Sequence, residues 1–117
     1  MSDVCLKLLV IKTQNLESIT NFYRLFNLEF VEEQHGNGPR HFSAEIGGTV
    51  FEVYPTKNAD AVDSTTRLGF SVTNFAEVLD SLRSQGIEVV NEPKQTPWGL
   101  RAVVRDPDGR AVELYDS

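Results

Sequence analysis

The chain has 117 residues, 40% hydrophobic and 24% charged, the balance of a soluble globular domain rather than a disordered one. A net charge of −6 with no Lys/Arg cluster argues against nucleic-acid binding, and no apolar run approaches the about 20 residues that span a membrane. A single cysteine, Cys5, excludes an internal disulfide; with an acidic N-terminus unlike a signal peptide, it sets the expectation of a cytoplasmic protein.

The first apolar run, residues 4–12, predicts a strand. Asn15 then offers a helix cap, and Leu16, Ile19, Phe22, Tyr23 and Phe26 recur at helical spacing up to about Asn27. Three strands follow, near 28–33, 41–46 and 49–55, the last two joined through Gly47-Gly48. Residues 56–65 are polar and read as a linker. Beyond it, Leu68, Phe70 and Val72 mark a strand, and Asn74 with Glu77 forms a capping-box pattern. Phe75, Val78, Leu79 and Leu82 make the stripe of a second helix that stops at Gly86. Strands near 87–92, 100–105 and 110–116 complete the chain, with Asp106–Gly109 as the last tight turn.

The two halves are copies. A shift of 59 residues lays Asn15 over Asn74 and Leu28–Val31 over Ile87–Val90. By the last strands the shift is 61, and Gly48, Glu52 and Tyr54 fall on Gly109, Glu113 and Tyr115. The expected fold class is α+β: two βαβββ modules, about 4–55 and 66–116, within one domain over 1–117.

Strand parity then sorts the side chains. Phe51 and Val53 share one face, as do Val112 and Leu114, and the helices should cover these. Val50, Glu52 and Tyr54 share the other face, as do Ala111, Glu113 and Tyr115. In the preceding strand Phe42, Ala44 and Ile46 read as helix-facing, leaving His41 and Ser43 beside Glu52. A repeated inward carboxylate can hold a divalent cation, act as acid and base, or neutralise a buried cation.

The segments NLESITNFYRLFNLEF, GGTVFEVY and TPWGLRAVVRDPDGRAVELYD resemble the vicinal oxygen chelate superfamily, the glyoxalase/bleomycin resistance protein/dioxygenase group. The resemblance implies two modules whose curved mixed sheet makes a half-barrel around a cleft, with helices outside, commonly completed in a homodimer. Metal-dependent members of the glyoxalase type use His, Glu, His and Glu. The two Glu positions match Glu52 and Glu113, but the His positions fall on Leu8 and Arg67. Leu offers no donor atom and Arg only protonated N–H groups. A guanidinium there also repels a divalent ion by about 4 kcal/mol at 4 Å per unit charge product. The expectation is therefore a metal-free protein with no cofactor, and Arg67 as counter-ion to Glu52 and Glu113.

What the resemblance then implies is a small-molecule-binding homodimer of the antibiotic-binding resistance type. Leu8 and Tyr54 would form its apolar wall and Trp98 a stacking face. Arg101 would pair with a ligand carboxylate or phosphate, and His41, with His35 and Arg40, would edge the cleft. The rival is an enzyme: a glyoxalase-type lyase, isomerase or dioxygenase with a displaced ligand such as His41. A metal-free version would use Glu52 or Glu113 as base and Arg67 as oxyanion partner. A third reading is an interaction module in which the three charges satisfy one another.

Overall fold

The computed structural model describes residues 3–117; Met1 and Ser2, with which the expected domain begins, lie outside the described residues. The chain divides into two compact units, Met1–Asp63 and Ser64–Ser117, the boundary falling inside the expected linker. The first carries β1 (Leu8–Thr13), α1 (Leu16–Arg24), β2 (Val31–Glu33), β3 (His41–Ile46) and β4 (Thr49–Pro55). The second carries β5 (Leu68–Val72), α2 (Phe75–Ser84), β6 (Val89–Thr96), β7 (Gly99–Arg105) and β8 (Ala111–Asp116). Sheet order is β1-β4-β3-β2 in one and β5-β8-β7-β6 in the other, so the sequence repeat is a repeat of topology. In each, the first and last strands pair in parallel and the others antiparallel, giving two open mixed sheets and an α+β fold.

Strand limits follow from where partners exist. Residues 4–7 belong to the expected strand but stay outside β1, because β4 starts only at Thr49, after Gly47 and Gly48 turn the chain at φ 52° and 89°. The β2 strand keeps only three of six expected residues; Phe30 leaves the ladder to pack its ring 6.0 Å from Phe51. By contrast β6 runs to Thr96, past the expected end, with register shifts on either side of Asn91 ahead of Pro93, whose missing N–H cannot join a ladder. A single 3-10 turn at Ala59–Ala61, capped by Asn58, interrupts the segment read as a plain linker.

The two helix caps differ. Asn15 accepts a hydrogen bond from the Ser18 N–H at 3.2 Å, as its position predicts, whereas Asn74 makes no side-chain cap bond. The reason is backbone: Asn74 lies at φ 58°, ψ 45°, and a cap normally needs the extended region to aim its side chain at the first turn. The capping box with Glu77 is thus not formed. Asparagine is among the few residues that tolerate the left-handed region.

Parity holds on both sheets. Phe51, Val53, Phe42 and Ala44 are buried with Ile19, Phe22 and Tyr23 of α1, and Tyr23 meets Phe51 edge-on at 5.2 Å. Val112, Leu114, Ala102 and Val104 are buried with Phe75, Val78, Leu79 and Leu82 of α2. The opposite face of each sheet carries the candidate site.

Candidate functional site

In the first unit, register sets Val10 beside Glu52, Glu52 beside Ser43, and Glu33 beside His41. Leu8, Val10, Val31 and Val50 on this face are exposed, Leu8 at 52%. His41 is the exception at 1%. The Tyr54 ring stacks on its imidazole at 4.1 Å and 9°, and the His35 ring lies 5.2 Å away. His41 Nδ1 sits 3.2 Å from the Pro39 carbonyl oxygen, which only a protonated nitrogen can satisfy. Among the described residues its Nε2 has no hydrogen-bond partner; Glu33 Oε1 stands at 3.5 Å and Glu52 Oε2 at 3.7 Å. A buried polar atom left so costs about 1–3 kcal/mol, which makes the arrangement informative. The phenol of Tyr54 is held above the usual tyrosine range by burial and then by the Glu52 and Glu33 charges. Arg40, expected at the cleft edge, is instead tied to Glu17 at 2.6 Å and Glu32 at 2.8 Å, with its guanidinium over Phe42.

In the second unit, Gly69 lies beside Glu113 and Ser71 beside Tyr115, so Arg67, two residues before Gly69, reaches the same face. Arg67 Nη2 donates to Glu113 Oε2, and the Tyr115 hydroxyl donates to Oε1 at 2.6 Å. Arg101 Nη1 is 3.6 Å from Oε1, an ion pair beyond hydrogen-bond length. Gly69, Phe70, Ser71, Trp98, Arg101, Glu113, Tyr115 and Asp116 line an open concavity of about 590 Å³. Trp98 projects from the β6–β7 turn, 77% exposed, its backbone N–H donating to Thr96 Oγ1 at 3.1 Å. It does not cover the core.

The Tyr115 hydroxyl first, and then Arg67, hold the Glu113 carboxyl below the usual range, with burial pushing the other way. A depressed folded-state value means that this contribution to stability is present above an unfolded value of 4.5 and is lost as pH falls through the folded value. Glu113→Gln is expected to flatten the acid limb of the stability curve below that pH. Urea melts at stepped pH measure it; an unchanged slope would mean that Glu113 is not held this way.

Sequence reasoning thus named Arg67, Glu113, Arg101 and Trp98, which the second unit brings together, and Leu8, His41, Glu52 and Tyr54, which share a face of the first. It missed Tyr115 as a partner of Glu113, although parity put both on one face. It also missed Glu33, whose pairing with His41 depends on a register across the loop 34–40.

The family set of metal positions does not fit a metal here. Leu8 has no donor, and Arg67 occupies one oxygen of Glu113 while Tyr115 occupies the other.

Two four-stranded mixed sheets of the same order, each with a glutamate in its last strand, are consistent with the vicinal oxygen chelate fold. Residues 6–114 match the family model of the Glyoxalase/Bleomycin resistance protein/Dioxygenase superfamily. The chain belongs to that superfamily. It is 26% identical to an uncharacterized protein of Mycolicibacterium smegmatis, covering 98% of this chain and 96% of the other. Among solved structures it is similar to TnmS3, an antibiotic binding protein from Streptomyces sp. CB03234, with a TM-score of 0.74 at 22% identity over 99% and 98% of the two chains. The oxidase ChaP-H2 gives a TM-score of 0.79 at 18% identity over 99% and 95%. Among the described residues no helix is long and apolar enough to cross a membrane.

Proposed function

We propose that this protein binds a small molecule in the concavity of its second unit, with no metal at that site. The observation that carries the reading is the state of Glu113: both oxygens are engaged by Arg67 and Tyr115, in a concavity that an exposed tryptophan also lines. A volume of about 590 Å³ lies within the range of ligand pockets. Trp98 and Tyr115 suit a planar aromatic body. Arg67 and Arg101 both pair with Glu113, so the acidic whole-chain charge gives no local preference for a cation. Arg101, only loosely paired with Glu113, is the natural donor to a carboxylate, phenolate or carbonyl of the ligand. That TnmS3 is described as antibiotic binding supports the reading.

A general-base role for Glu113 is disfavoured. A catalytic base works best with a pKa near the operating pH, and Glu113 is shifted the other way. The reading treats both modules as one cytoplasmic domain that pairs as a homodimer; the exposed Leu8, Val10, Val31 and Val50 on one sheet face support a partner surface.

The test is equilibrium dialysis of chelator-treated protein against planar aromatic compounds with and without an anionic group. Trp98→Ala and Arg101→Ala are each expected to weaken the best binder at least about tenfold, or 1.4 kcal/mol. Full affinity in both variants would remove the concavity as the site.

A further inference from the structure

We propose that the first unit contains a transition-metal site formed by Glu33, His35 and His41, with Glu52 within reach as a further ligand. It lies outside the family's ligand positions apart from Glu52 and does not depend on ligand binding in the second unit. The expectation of a metal-free protein rests on Leu8 and Arg67, and neither belongs to this cluster.

The geometry is assembled by one hairpin. Glu33 ends β2, His41 opens β3, and the two are cross-strand partners, so their side chains share a face. His35 enters the connecting loop just after β2. One ligand atom from each of Glu33, His35 and His41 lies within 4.8 Å of the others. Donors around a tetrahedral ion with 2.0–2.1 Å bonds stand about 3.3 Å apart. The Glu33–His41 separation of 3.5 Å is already close to that, and His35 is exposed on its loop with a ligand atom within 4.8 Å of both.

The decisive atom is His41 Nε2. It is buried and without a hydrogen bond, while Nδ1 faces a backbone carbonyl and the ring is clamped by Tyr54. A metal-binding histidine is prepared in this way: its far nitrogen donates to a carbonyl, which fixes the tautomer and leaves the near lone pair for the ion. Glu33 Oε1 at 3.5 Å and Glu52 Oε2 at 3.7 Å from Nε2 stand near the about 3.3 Å donor spacing of a tetrahedral ion. Two imidazoles with one or two carboxylates select a first-row divalent ion such as zinc over magnesium or calcium.

Zinc chloride titrated calorimetrically into the full chain after chelator treatment is the test. One zinc per chain is expected, at micromolar affinity or tighter. His35→Ala and Glu33→Gln, both outside the core, should each weaken it at least about tenfold with an unchanged circular dichroism spectrum. Glu113→Gln, in the other unit, should leave it unchanged. The absence of stoichiometric heat, or zinc binding indifferent to both first-unit substitutions, would overturn the proposal.

Discussion

Arg110→Ala is expected to destabilise the protein by about 3–5 kcal/mol, a large part of the about 5–15 kcal/mol that holds a domain together. The side chain is 1% exposed, and its Nη1 reaches Asp106 at 3.1 Å and Asp108 at 3.0 Å. Asp106 is buried too, and its Oδ1 also accepts the backbone N–H groups of Asp108 and Arg110, at 2.9 and 3.0 Å. The pair therefore fixes the turn that sends the chain into β8 and places Glu113. Removing the guanidinium strands a desolvated carboxylate, whereas removing the exposed Arg83–Glu92 pair should cost under about 1 kcal/mol. Urea unfolding of Arg110→Ala beside Arg83→Ala measures the contrast. Equal, small losses would show that the buried pair contributes nothing special.

Phe51→Ala should cost about 3–5 kcal/mol, by loss of buried area and by the cavity left behind. Phe51 is 1% exposed against Tyr23 and Phe30. Val50, its neighbour on the opposite face of β4, is 36% exposed, so Val50→Ala should cost well under half as much. Thermal melts of the two variants test the face assignment directly; comparable losses would contradict it.

These two residues also mark where sequence stops being sufficient. Phe51 is legible because period-two alternation survives any tertiary arrangement, and the same count puts Glu52 and Glu113 on the opposite faces. The repeat carries the topology, since matched glycines and carboxylates fix which strands correspond. Arg110 is not legible: an arginine after a polar turn reads as solvated, and only the folded turn brings two aspartates around it. Asn74 misled for a related reason, because its residue type suits both a side-chain cap and a left-handed backbone, and the backbone use won. His41 was half legible. The Gly47-Gly48 turn fixes the β3–β4 register and sets His41 near Tyr54, but nothing in residues 34–40 fixes the β2–β3 register that brings Glu33 beside it.

Recognition of a small molecule by the second unit, without metal at Glu113, is open to measurement through the single tryptophan. Trp98 fluorescence should be titrated in chelator-treated protein with the planar aromatic panel, then repeated in Arg101→Ala. Saturable quenching with a blue shift is expected, at affinities well below about 1 mM, unchanged by the chelator and weakened by the substitution. No saturable change below that concentration, or a response that returns only when a metal is added, would contradict the account.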